Sequence, residues 1–125
     1  MAGGTKDGFV RYVLQRILES HDIVASADII SEYERVARYP KFSPHTAAYM
    51  LKSIAAIEAC ARLVDPFPSK ITCPDPEDIA YIEAAVAGAA DFLITGNLKH
   101  FPDSPYGTAR VVTVREFADL AGLIP

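Results

Sequence analysis

The sequence predicts an α/β fold of three layers, with helices on both faces of a mostly parallel sheet. Three observations carry this. Short apolar runs of strand length are separated by longer stretches with helical spacing. Serine and aspartate caps followed by proline stand where helices should begin. A glycine or a proline stands where several of them should stop.

In order, Phe9 to Glu19 places Phe9, Val10, Val13, Leu14, Ile17 and Leu18 on one side of an amphipathic helix. His21 to Ala25 is a short strand. Ser26 then caps a helix from Ala27 to Arg38, ended by Tyr39-Pro40. Ser43-Pro44 opens a long helix to about Ala61, with Ala48, Leu51, Ala55 and Ala59 expected as its inner row. Arg62 to Val64 is a brief strand, and Pro66, Pro68 and Pro74 mark a loop. Asp75-Pro76 starts a helix to about Ala87, with Ile79, Ile82 and Val86 as its buried stripe and Gly88 as its stop. Asp91 to Thr95 is a buried strand and Arg110 to Thr113 another. Thr113-Val114-Arg115-Glu116 is a capping box for the last helix, to about Ala121. The chain thus opens on a helix, whereas folds of this kind usually open on a strand.

A length of 125 residues sets one domain, residues 1–125, large enough for a real core. Half of the residues are hydrophobic, which excludes a disordered chain. No apolar run approaches the ~18 residues of a membrane span. The start, MAGGTKDGF, lacks the layout of a signal peptide, so a cytoplasmic address is expected, with no membrane partner. Cys60 and Cys73 are expected as reduced thiols. A net charge of −4 does not suit a protein that coats nucleic acid; any such contact must be local, brief or helped by a cation.

Two carboxylates stand out. Asp78 lies in the first turn of its helix, at the edge of the buried stripe. The plainer reading is that Asp75, Glu77 and Asp78 complement the helix dipole. Glu32 lies three after Ile29 and four before Val36, on the core side of its helix. An unpaired carboxylate there is costly and needs a cation, a metal or a basic residue from another helix. Glu34 and Arg38 read as an ordinary surface pair. Thr95-Gly96-Asn97 ends a strand with a sharp turn, and Asn97 is either a weak metal ligand or a turn residue. Lys99 and His100 follow and are candidates to hold a phosphate.

With these residues in view, the chain resembles the PIN-domain proteins, in particular the group described as toxin components of toxin–antitoxin systems. SADIISEYERVARYPKF (residues 26–42), DPEDIAYIEAAVAGAADFLITGN (residues 75–97) and VTVREF (residues 112–117) carry the likeness. The resemblance implies a five-stranded parallel sheet between helices. It also implies acids at the strand ends that bind Mg²⁺ or Mn²⁺ and cleave RNA. Matched position by position, the second acid falls on Glu32 and the third on Asp78; the fourth, an aspartate in the family, is Asn97 here. The expected site is therefore Glu32, Asp78 and Asn97 for catalysis, Glu32 and Asp78 for metal, and Lys99 and His100 for RNA.

The resemblance also implies a first strand, central in the sheet and ending in the first acid. This sequence begins at Met1-Ala2-Gly3-Gly4, which looks like the loop after that strand. The expectation is a PIN-like domain truncated at its start and lacking its central strand, with an apolar groove left between Ile23–Ala25 and Phe92–Thr95. Metal binding should then be weak and nuclease activity impaired. Alternatives are a non-catalytic module that binds RNA or an antitoxin protein, a homo-oligomer that closes the gap with another copy, and a plain α/β domain whose acids are only caps.

Overall fold

The computed structural model describes residues 4–66 and 70–123, with side chains from residue 8 onward. Pro68 of the expected loop, and Met1 to Gly3, lie outside the described residues. The elements are α1 (Gly4–Ser20), β1 (Val24–Ala25), α2 (Ala27–Ala37), α3 (Pro44–Cys60), β2 (Arg62–Leu63), α4 (Ile79–Ala87), β3 (Phe92–Ile94), β4 (Arg110–Val112) and α5 (Val114–Leu120). Their order matches the order expected from the sequence.

The helix starts follow from their caps. Ser26, itself buried, accepts the Ile29 N–H at 3.3 Å. Ser43 accepts from the Thr46 N–H at 3.1 Å, with Pro44 in the first turn. At α5 the Thr113 hydroxyl takes the Glu116 N–H at 3.1 Å, and the Glu116 carboxylate takes the Thr113 N–H at 2.9 Å, completing the capping box.

Two expected faces are corrected. In α3 the alanines Ala48, Ala55 and Ala59 are exposed; Ile54 is buried, with Met50, Leu51, Ile57 and Ala61 around it against α2. The larger side chains take the interface because they remove more apolar surface from water. In α4, Val86 is exposed and the buried residues are Ile82, Ala84 and Ala85. Small residues let this helix lie close on the strands. Gly88 shows how close: a Cβ there would stand 2.4 Å from Val24 Cγ1. Glycine is needed for that approach rather than for backbone freedom, because the left-handed residue after α4 is Ala89, at φ 51°. On α2, the Arg38 guanidinium donates to the Glu34 carbonyl at 3.0 Å.

The strands are all parallel, but they form two separate pairs. β1 pairs with β2 in the register Val24↔Arg62 and Ala25↔Leu63, and β3 pairs with β4 in the register Phe92↔Arg110, Leu93↔Val111 and Ile94↔Val112. Alternate residues of β3 face opposite layers. Phe92 and Ile94 pack with Val13, Val112, Phe117 and Ala118, on the side of α1 and α5. Leu93 packs with Ile82, Phe101, Tyr106 and Val111, on the side of α4. The β1–β2 pair is covered by α2 and α3 through Ala25, Ile30, Ala37 and Ile54. Residues of both β1 and β3, with α1, α4 and α5, line one cleft of about 610 Å³. No described helix is long and apolar enough to cross a membrane.

Candidate metal centre

The segment before α4 builds one wall of the site. Asp75 accepts the Glu77 N–H at 3.0 Å, and the Asp78 N–H returns to the Asp75 carbonyl at 3.0 Å. These bonds wind Pro76–Asp78 into a 3-10 turn, so the α-helix begins only at Ile79. The tight turn puts the side chains of Asp75 and Asp78 on the same side, since residues three apart eclipse there. The Cys73 thiol donates to the Asp75 carbonyl at 2.9 Å. Burial, reinforced by the charges of Asp78 and Asp75, pushes this thiol up, so it stays protonated. Both cysteines are free.

The other wall comes from the end of β3. The Asn97 N–H bonds the Thr95 hydroxyl at 3.1 Å, and the Asn97 side-chain oxygen accepts the Lys99 N–H at 3.2 Å. Asn97 thereby caps a second 3-10 turn, Leu98–His100. That turn swings His100 back across 22 residues, so that its Nδ1 lies 2.9 Å from Asp78 Oδ2. One ligand atom from each of Asp75, Asp78 and His100 lies within 4.8 Å of the others, and all three residues are half-buried. Two carboxylate oxygens and one imidazole nitrogen suit a divalent cation of the manganese kind.

Glu32 stands apart from this group. It is half-buried, and its carboxylate is held by its own helix: Arg35 Nε reaches Oε2 at 3.1 Å and Nη2 reaches Oε1 at 2.5 Å. Arg35 also donates to the Tyr39 hydroxyl at 2.9 Å. The hydrogen bond and charge of Glu32 raise the Arg35 pKa, and Glu77 adds to this. The partner of Glu32 is thus a cation three residues along on its own helix, rather than a basic residue of another helix, one of the alternatives.

Tyr81 links the two regions. Its ring stands 6.0 Å from that of Tyr33, between α2 and α4. Burial first, then Tyr33, Glu32, Asp78 and Glu77, push its hydroxyl well above the usual phenol value. Glu32 and Asp78 therefore lie within electrostatic reach of one phenol. Of the residues singled out in the sequence, Asp78 and His100 are brought together, Lys99 is exposed in the same turn as His100, and the Asn97 oxygen is engaged as a cap. Asp75 is the addition; its place three residues before Asp78 reads from sequence only as a cap.

Helices on both faces of parallel strands, with a cation-competent acidic group where one strand ends and a helix begins, define the class. The chain belongs to the PIN-domain family: the family's sequence profile, described as PIN domain, matches residues 9–99, well over half of the sequence. No curated protein and no solved structure matches it. The family is nuclease-like and binds divalent metals, and the Asp75–Asp78–His100 group offers a place for one.

Proposed function

We propose that this domain is a metal-dependent endoribonuclease of the PIN type, of the toxin kind paired with an antitoxin, with activity attenuated in this chain. The observation that carries the reading is the convergence of Asp75, Asp78 and His100 within 4.8 Å at the start of α4. When bound there, Mg²⁺ or Mn²⁺ would polarise a phosphodiester and acidify a water. Asp78 is the central ligand, with Asp75 and His100 beside it. To Lys99, exposed and in the same short turn as His100, we assign the holding of an RNA phosphate. Asn97 keeps the turn that carries both basic residues.

Attenuation follows from the same residues. Both carboxylate oxygens of Glu32 already hold Arg35, so Glu32 reaches a cation or orients a water only by giving up that guanidinium. Asn97 brings no charge. His100 must exchange its bond to Asp78 for the cation. Few free carboxylates mean weak Mg²⁺ binding, because Mg²⁺ sheds its waters reluctantly. The experiment is a titration of Mn²⁺ followed by NMR line broadening, with single-stranded RNA cleavage in parallel. Broadening should centre on Asp75, Asp78 and His100 and vanish in Asp78→Asn, with cleavage slow and lost in the same variant. Broadening elsewhere, or cleavage that survives Asp78→Asn, would sink the assignment.

A second reading is supported by a different observation. The apolar cleft between β1 and β3 suits a non-catalytic module that binds a partner polypeptide. In that case Mn²⁺ changes nothing, and recognition lies in the cleft.

A further inference from the structure

We propose that the end of α2, the turn after it and the start of α3 form a track for single-stranded RNA that leads away from the Asp75–Asp78–His100 group. The inference rests on the reading of this domain as one that acts on RNA, and it adds where the strand lies.

Charge is sorted along this chain. The net charge is −4, yet residues 35–57 hold Arg35, Arg38, Lys41 and Lys52 and none of the 16 Asp and Glu residues. Arg38, Lys41 and Lys52 are exposed. So is Arg11 of α1, whose guanidinium lies 4.0 Å over the ring of Tyr49 from α3. None of these four cations stands in an ion pair among the described residues, whereas Arg35 is held by Glu32. Unpaired cations gathered on an otherwise acidic protein attract a polyanion to one place, and the remaining surface repels it.

Contacts join these residues into one path. Arg35 is within electrostatic reach of Glu77, the residue before Asp78. Its guanidinium donates to the Tyr39 hydroxyl at 2.9 Å. The Phe42 N–H bonds the Tyr39 carbonyl at 3.1 Å, and Lys41 Nζ stands 5.2 Å from the centre of the Phe42 ring. Phe42, Tyr49 and Arg11 then line one hollow. Outward from the metal group the order is Arg35, Tyr39, Lys41 with Phe42, and Tyr49 with Arg11.

The alternation of rings and cations selects the occupant. Tyr39, Phe42 and Tyr49 are half-buried, so each keeps part of its ring open. An unpaired base stacks on such a ring, or on the flat face of a guanidinium, while the phosphates beside it take the cations. A duplex hides its bases, and an acidic polypeptide has none. A surface made for either needs the cations without the rings.

The probe is a labelled single-stranded RNA of about twelve nucleotides, bound to the full chain in EDTA and followed by fluorescence anisotropy. Affinity should fall with salt at a logarithmic slope of about −2 to −3. Arg38→Gln/Lys41→Gln should weaken binding about tenfold and flatten that slope by roughly 1.4. Arg110→Gln/Arg115→Gln removes the same charge from exposed positions on β4 and α5 and should bind like wild type. Tyr39→Leu should weaken binding about fivefold or more, whereas Tyr39→Phe keeps the ring, loses the bond to Arg35 and should bind normally. Unchanged binding by the Arg38/Lys41 variant, equal binding of a duplex, or equal competition by polyglutamate would each overturn the track, as would no binding at all. Cleavage is read separately with Mn²⁺. A strand that binds along the track and is never cut counts against the nuclease reading alone. Cleavage with binding indifferent to Arg38 and Lys41 counts against the track alone.

Discussion

At Gly88 a single hydrogen atom decides how α4 meets β1. A methyl group there would collide with Val24, a β-branched side chain with little rotational freedom, and would also stand 3.2 Å from the Ala84 carbonyl. Gly88→Ala should destabilise the fold by about 1–3 kcal/mol, the cost of overpacking. The next residue carries the opposite expectation: Ala89 has φ 51°, so Ala89→Gly should stabilise by up to about 1 kcal/mol. Urea unfolding of the two variants checks both signs, and a neutral Gly88→Ala would show that Val24 simply yields. From sequence Gly88 is legible as a helix stop, but its contact with Val24, distant in the chain, is not. The site divides in the same way. Asp78 is legible as an acid at a helix start. Its bond to His100 is not, because it depends on a short 3-10 turn that leaves no periodic pattern. Glu32 is legible as a carboxylate needing a partner, and the partner turned out to be the local one.

Elements were most readable at their ends. Ser26, Ser43 and Thr113 cap where the residue types say they should, because a cap depends only on the next three residues. Thr113→Ala removes the acceptor for the Glu116 N–H and undoes half of the reciprocal pair at α5. It should cost about 1 kcal/mol, read as a drop in the denaturation midpoint at unchanged slope. Thr113→Ser should restore most of it, which an effect of lost methyl packing would not do. Faces were less readable. In α3 the alanine row and the inward row of Met50, Ile54 and Ile57 are turned from one another by roughly a third of a turn. Both are apolar, so periodicity alone cannot choose between them; the choice is made by α2, whose Ile30 and Ala37 leave room for bulk.

For the whole molecule, the layered arrangement and the parallel strands were legible, and so was the gap between β1 and β3, which the family resemblance located. Across that gap the two halves are joined by α1, which meets both α3 and α5, and by α4, whose contact with α2 sets a pH limit on the fold. Tyr81 of α4 and Tyr33 of α2 meet at a ring distance of 6.0 Å. Burial raises the Tyr33 phenol, and burial together with Tyr33, Glu32, Asp78 and Glu77 raises that of Tyr81. Both are held neutral in the folded protein above the ordinary phenol value of about 10. The unfolded chain therefore loses these protons first as the pH rises, and the folded state then binds more protons than the unfolded one. Stability must fall with increasing pH in that range. The contribution is complete below about pH 10 and is lost as the pH climbs through the raised values. Tm measured from about pH 8 to pH 11 should be flat at first and then decline, and Tyr81→Phe should flatten the decline. An equal slope in wild type and Tyr81→Phe would show that the phenol is solvated and that α2 and α4 are not closed over it.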